Sequence, residues 1–296
     1  MSAPTRTVAV TGAASGIGAA CARRLADGGQ RVIGVDLAGT EVTADLGTAE
    51  GRRYALEALS ERAGDGLDGL VTCAGLAGAP SRSGALLVSV NYFGTVVLLE
   101  GLRPLLARGR APSAVAIGSN SATIQPGIPA PLVAALVAGD EPAARRLADE
   151  SGSMLTYPAT KLALALTVRR WATGEDWAGA GIRLNVVAPG MTETPLVAEG
   201  RADPEVAPFF DMLPIPIGRT GQPEEIAALV DLLLGPDGGY FCGSVLTVDG
   251  GSEALLRGAD WPAPWDLGRD QQAPWRRPAP GPLAGGTGSQ GPRDGS

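Results

Sequence analysis

Thr7-Val-Ala-Val-Thr-Gly-Ala-Ala-Ser-Gly-Ile-Gly18 is the stretch that decides the fold. Thr7 to Val10 is a short apolar run with β-branched residues, the signature of a buried strand. A glycine-rich turn follows, with Gly12, Gly16 and Gly18. Beyond it Ile17, Cys21 and Leu25 share one helical face, and Gly28-Gly29 ends the pattern. Arg31 to Val35 reads as a second strand. Strand, tight glycine turn, helix and strand make a βαβ unit, which implies a parallel sheet.

The alternation continues outward. Leu67 to Cys73, Ser113 to Ile117, Arg183 to Ala188 and Ser244 to Val248 read as strands. Asn91 to Leu106, Pro158 to Trp171 and Pro223 to Leu234 read as helices, with Pro158 allowed in a first turn. The expected architecture is α/β: a single Rossmann-type, doubly wound parallel sheet of about seven strands with helices on both faces. One link is irregular. Only eight residues separate Asp36 from Asp45, too few for a helical crossover, so a third strand at Glu41 to Ala44 needs a bare loop. The domain is expected to span residues 1–252. Residues 253–296 are rich in Pro and Gly, hold Trp261, Trp265 and Trp275, and end in a stretch, Ala279 to Ser296, that reads as disordered.

Composition excludes much. The 296 residues include no histidine, which removes Ser-His-Asp and Cys-His hydrolases and imidazole metal sites. Cys21, Cys73 and Cys242 are too far apart for a CxxC knuckle or a disulfide framework, and no metal site is expected. A net charge of −7 without a basic patch argues against nucleic acid. The N-terminus lacks a signal-peptide pattern, and no uninterrupted apolar stretch approaches a membrane span. The reading places the protein in the cytoplasm. Of 24 basic residues only Lys161 is lysine, which raises the question of what arginine could not supply there.

The glycine turn suits a pyrophosphate at a helix N-terminus, with Gly12, Ser15, Gly16, Ile17 and Gly18 around it. Asp36 stands at the end of the second strand, near the ~20-residue offset of the acid that binds adenosine ribose hydroxyls. A carboxylate there repels a 2′-phosphate, and no arginine at Ala13, Ala14, Ser15 or Leu37 offsets it, which favours NAD over NADP. The bland alternative is a solvated strand-end acid.

Tyr157-Pro-Ala-Thr-Lys161 puts a phenol and the single lysine on one helical face. A phenol of pKa ~10 is a poor base near neutrality, and an adjacent ammonium favours its ionised form. A YxxxK pair alone is usually a solvated helix face. Its rarity here and the turn upstream favour a catalytic reading.

From Thr7 to about Ser252 the chain resembles the classical short-chain dehydrogenases/reductases. The TGxxxGIG turn, Asp36, Asp45-Leu46, Cys73-Ala-Gly75, Asn91, Ser119, Tyr157 with Lys161 and Pro189-Gly190 occur in the family's order. The resemblance implies that Tyr157 is the acid/base and that Lys161 holds the ribose and lowers the tyrosine pKa. It implies that Ser119 binds the substrate oxygen and that Asn91 helps hold a relay water. Ser121 lies close, but Ser119 stands two residues past Ile117, as the family's serine does. Asp45-Leu46 would border the adenine. Leu37, Ala74, Gly75, Pro189, Gly190 and Thr192 would also line the cofactor. Cys73 replaces the family's usual asparagine, and Gly118 a common serine. The implied cofactor is NAD and the implied assembly a homodimer or homotetramer.

Thirty-seven residues lie between Ser119 and Tyr157, more than most members carry. This insertion, residues 122–153, is expected to flank the substrate mouth or to enlarge a subunit contact. Residues 191–217, with Phe209, Phe210, Met212 and Leu213, fall where the family has a mobile lid. Both suggest a bulky apolar alcohol or ketone. The loop after Asp36, the Glu41 to Leu46 run, Thr48 to Arg52, Val90-Asn-Tyr-Phe-Gly94 and the insertion resemble the 3α-hydroxysteroid dehydrogenase/carbonyl reductase type. A hydroxysteroid is the leading substrate, with a cyclic terpenoid alcohol or polyketide ketone as alternatives. A non-catalytic NAD-binding regulator is the reading from another class.

Overall fold

The structure is a computed structural model that describes residues 5–261. Trp265, Trp275 and the stretch read as disordered lie outside the described residues. Seven parallel strands form one sheet in the order β3-β2-β1-β4-β5-β6-β7. They are β1 (Thr7–Thr11), β2 (Arg31–Asp36), β3 (Val42–Thr43), β4 (Gly69–Thr72), β5 (Ser113–Ile117), β6 (Arg183–Pro189) and β7 (Val245–Val248). The helices begin with α1 (Gly16–Asp27), α2 (Ala49–Ala63) and α3 (Gly84–Leu87), which runs through a π-helix at Val88–Phe93 into α4 (Gly94–Leu106). Then come α5 (Ser121–Ile124), α6 (Ala130–Ala138), α7 (Glu141–Ser151) and α8 (Ser153–Ala172). The last are α9 (Pro195–Ala202), α10 (Ala207–Met212), α11 (Pro223–Leu234) and α12 (Ser252–Leu256), and the compact unit closes at Ala259.

Successive strand residues point to opposite faces, and each face has its own core. Val8 and Val10, Val71, and Val115 with Ile117 pack against α1 and α11 through Cys21, Leu25, Ile226 and Val230. Ala9, Leu70, Ala114 and Ala116 pack on the other face with Leu59, Leu99, Leu164 and Val168. Both faces are covered by helices, the condition under which a parallel sheet is stable.

The crossover from β2 to β3 is a bare loop, as the spacing required. With β3 only two residues long, the ladder beside β2 is short of acceptors. The Glu41 carboxylate takes the Gly34 N–H at 2.8 Å, and Asp36 O takes the Ala44 N–H at 2.9 Å. A side chain thus completes what the strand leaves open.

Three helices differ from the sequence reading. The segment expected to start at Asn91 is helical from Gly84, and Asn91 lies in its π-turn rather than at an end. Helix α2 escaped the periodicity, because its buried side is only Arg52, Ala55, Ala58 and Leu59. Helix α8 starts at Ser153, so Pro158 lies inside it and not in the first turn. A proline there deprives the carbonyl four residues back of its N–H. That carbonyl belongs to Met154, and Gln125 Nε2 donates to it at 3.2 Å. The stretch Gly84–Leu106 is long and apolar enough to cross a membrane, yet 72% of the apolar window is buried inside the fold, where it works as a core helix.

Gln125→Ala should therefore cost about 1 kcal/mol in urea unfolding, the worth of one partly buried hydrogen bond. In a Pro158→Ala background the restored N–H takes over and the Gln125 substitution should become nearly silent. Equal costs in both backgrounds would refute the compensation.

Candidate active site

The strands end together at one edge of the sheet, and the order reverses between β1 and β4, the place where such sheets take ligands. Gly12 and Gly16 have φ of 68° and 52°, in the left-handed region that side chains avoid. A Cβ on Gly18 would stand 2.0 Å from Gly12 O, so α1 starts hard against the end of β1. Ser15 is the N-cap of α1 and leaves its hydroxyl out of capping, and Ile17 is half-buried in the first turn. The unpaired N–H groups there make a cradle for an anion. Asp36 closes one side: Oδ2 accepts from Ala14 N at 2.9 Å and Oδ1 from Leu37 N at 2.7 Å. Each oxygen keeps acceptor capacity for a ribose hydroxyl. The Leu37 side chain is exposed, Asp45 is exposed and Leu46 is buried beside it.

Across the turn lies the chain leaving β4. Thr11 Oγ1 accepts from Cys73 N and Ala74 N, both at 3.1 Å. This holds the Cys73-Ala-Gly75 segment without an asparagine. The Cys73 thiol lies near Cys21, and that neighbour and then burial push its pKa well above the usual value. Asn91 is wholly buried, and its amide pairs with the Leu76 backbone, accepting at 2.7 Å and donating at 2.9 Å. Pro189 ends β6, Asn120 N donates to its carbonyl at 2.9 Å, and a Cβ on Gly190 would meet Asp249 Cβ at 2.5 Å. Thr192 is buried and bridges to Gly221.

Ser119, Tyr157 and Lys161 meet at the mouth of this crevice. Ser119 stands beside the Tyr157 phenol, whose pKa it lowers, and its Oγ accepts the Ser121 N–H at 3.1 Å, whereas Ser121 Oγ is buried without a partner. The structure thus brings Ser119, not Ser121, to the tyrosine. Lys161 Nζ donates to Ile117 O at 2.9 Å and lies 5.8 Å from the Tyr157 ring centre. Burial lowers the lysine pKa to about 8, and the Cys73 thiol opposes this only in part. Burial raises the Tyr157 pKa, against the lowering by Ser119. The contacts of the lysine are the ring face and the Ile117 carbonyl, and the causes that set the tyrosine pKa are burial and Ser119. Burial thus disfavours the charged form of both groups and leaves a phenol and an amine side by side in a desolvated place, the pattern common at functional sites.

Several functional contacts were not read from the sequence. Thr11 carried a signal, since it directly precedes Gly12 at the strand end. Asn120 Nδ2 bonds Asp249 Oδ2 at 3.1 Å and ties the ends of β5 and β7 together, a long-range pairing without local trace. The lid region forms α9 and α10, and Phe209, Met212 and Ile217 stand largely exposed on it. Arg82 links the loop after β4 to this region, with Glu199 at 2.8 Å. The insertion places α6 and α7 against α8, α3 and the π-turn.

The fold and this constellation define a nucleotide-dependent oxidoreductase. Residues 6–131 match the short chain dehydrogenase family, and residues 143–253 match the enoyl-(acyl carrier protein) reductase family. The 3-alpha-hydroxysteroid dehydrogenase/carbonyl reductase of Comamonas testosteroni is 40% identical over 84% of this chain and 97% of its own. The galactitol 2-dehydrogenase (L-tagatose-forming) of Cereibacter sphaeroides is 31% identical over 82% of this chain and 93% of its own. The crystal structure of the 3-alpha-hydroxysteroid dehydrogenase from Pseudomonas sp. B-0831 complexed with NADH superposes with a TM-score of 0.82 at 45% identity. It covers 86% of this chain and all of that one. The chain belongs to the short-chain dehydrogenase/reductase family.

Burying Lys161 costs stability. Between about pH 8 and 10.5 the folded chain holds fewer protons on this amine than the unfolded chain, so stability rises with pH across that window. Lys161→Met should remove the cost. Its Tm at pH 7 should exceed the parent's by several degrees, on a scale of roughly 2–4 °C per kcal/mol. The gain should shrink as pH rises from about 8 toward 10.5. A gain that grows with pH would contradict the assignment.

Proposed function

We propose that this protein is an NAD-dependent dehydrogenase/reductase of the cytoplasm that interconverts a secondary alcohol and a ketone on a bulky apolar substrate, a 3α-hydroxysteroid. The observation that carries the reading is the juxtaposition of Ser119, Tyr157 and buried Lys161, whose amine is bonded to Ile117 O at 2.9 Å and lies 5.8 Å from the Tyr157 ring centre, at the same end of the sheet as the glycine cradle. NAD supplies the hydride acceptor in the oxidative direction. In that direction Tyr157 as phenolate takes the alcohol proton, and in reduction its phenol returns it. Ser119 fixes the substrate oxygen, and Lys161 orients the nicotinamide ribose. Gly12, Ser15, Gly16, Ile17 and Gly18 hold the pyrophosphate, and Asp36 the adenosine ribose. The preference for NAD rests on the Asp36 carboxylate and on the absence of a cation at Ala13, Ala14, Ser15 or Leu37. The relative bound to NADH supports it. The assembly proposed is a homodimer or homotetramer.

The steroid reading rests on the relatives and on the exposed Phe209, Met212 and Ile217. The same side chains suit a cyclic terpenoid alcohol or a polyketide ketone. Nicotinamide absorbance with NAD and a panel of 3α- and 3β-hydroxysteroids, terpenoid alcohols and simple secondary alcohols separates these. Turnover confined to 3α-hydroxysteroids is the expected result, and turnover of terpenoid alcohols alone would replace the substrate but keep the chemistry.

On a turned-over substrate, Tyr157→Phe should lower kcat by about a hundred- to ten-thousand-fold, the worth of a positioned acid/base. Unchanged turnover would refute the role. Asp36→Ala should weaken discrimination against NADP about ten- to a hundredfold, as charge-assisted ribose bonds and phosphate repulsion are lost together. Retained discrimination would move the determinant elsewhere.

A further inference from the structure

We infer that buried Arg52 and partly buried Glu141 form a clamp through which the inserted helix α7 positions the adenine end of the cofactor site and the π-turn bearing Asn91; this rests on the cofactor reading above. Arg52 on α2 is only 5% exposed. Its Nη2 meets Glu141 Oε2 at 2.7 Å, and their side chains are 6% and 25% exposed. Its Nη1 donates to Ser89 O at 3.2 Å and, at 3.4 Å, to Leu46 O. The other Glu141 oxygen accepts from Ser89 Oγ at 3.1 Å, and Arg145 also donates to that hydroxyl.

One guanidinium thus ties three separate pieces of chain. Leu46 follows Asp45 at the proposed adenine edge. Ser89 lies in the π-turn two residues before Asn91, and its carbonyl also takes the Gly94 N–H that closes this wide turn. Glu141 is the first residue of α7. The far end of α7 is held equally closely. A Cβ on Gly84 would stand 2.2 Å from Ala148 O, and Asp149 Oδ1 accepts the Ala85 N–H at 2.9 Å. Helix α7 therefore grips the α3 and π segment behind Asn91 at both ends.

With Arg52 buried and Glu141 three-quarters covered, the pair gains little stability, because desolvation offsets much of its attraction and an apolar pair of similar size does about as well. What an apolar pair cannot do is hold two carbonyls in fixed positions. Arg52 and Glu141 are accordingly positioning residues, and stability and positioning can be pulled apart.

The test compares the parent with Glu141→Gln and with the double variant Arg52→Met, Glu141→Met. The measurements are Tm, the Kd for NADH by fluorescence titration, and kcat and KM on a turned-over alcohol. Glu141→Gln should lower Tm, since a buried guanidinium loses its counter-charge. The double variant should recover the parental Tm or exceed it. Its NADH binding should nonetheless weaken about three- to tenfold, the worth of the lost carbonyl contacts. Its kcat should fall while KM for the alcohol holds. A double variant with parental Tm, Kd and kcat overturns the clamp and leaves a merely structural pair. A parent that binds no nicotinamide nucleotide overturns the proposed function, and the clamp with it.

Discussion

No side chain fits at Gly12 or Gly18, and this steric constraint places the rest of the site. A Cβ at Gly12 would come within 2.8 Å of Ala74 N, and one at Gly18 within 2.0 Å of Gly12 O. The turn after β1 is therefore pressed against both its own helix and the chain leaving β4. Thr11, one residue earlier, uses its hydroxyl to hold the two N–H groups of that chain. Because β2 and β4 flank β1, the crevice opens where their exits part. Asp36 reaches across one side of it to Ala14, and Asn91 braces the other through Leu76. The acid, the cradle and the β4 loop are in register because backbone is in contact with backbone there.

The composition has its sharpest meaning at Lys161. Arginine fills every other basic position, and at most of them a planar, always-charged guanidinium serves well. Lys161 is buried, and its amine is bonded to the Ile117 carbonyl. An ammonium is compact enough for that space, and its pKa yields to burial, whereas a guanidinium would stay charged and demand more partners. The site has kept the one cation whose charge its surroundings can tune.

The sheet, its order of motifs and the candidate residues were legible because they rest on local signals. Gly12 to Gly18 carry a turn that only glycine makes, and Ser113 to Ile117 is a strand buried on both faces. What was missed depends on contacts distant in sequence. Helix α2 hides its face behind alanines and a buried arginine, whose partner Glu141 comes 89 residues later. The early start of α8 was masked by Pro158, which reads as a helix beginning until Gln125 is seen to cover the Met154 carbonyl. The π-turn at Asn91 has no composition of its own. Lys161 and Tyr157 were found as a pair, but their spacing says nothing about where the amine points.

The insertion joins these two levels. It starts just past Ser119 and ends at the helix that carries Tyr157, so any drift in it would separate these two residues, which are proposed to share one substrate oxygen. Apolar packing through Leu132 and Leu136 gives it adhesion but little register, because such contacts are not directional. Register comes from polar contacts spread along its length. Gln125 holds Met154, Glu141 holds Arg52 and Ser89, and Asp149 holds Ala85. Ser153 exchanges hydrogen bonds with the Ala79 backbone, accepting at 3.2 Å and donating at 2.5 Å. Each fixes the insertion, or the residue that ends it, to a partner on a neighbouring element or on the start of α8. A segment of this length is compatible with catalysis here because it is fastened to the elements it could otherwise displace.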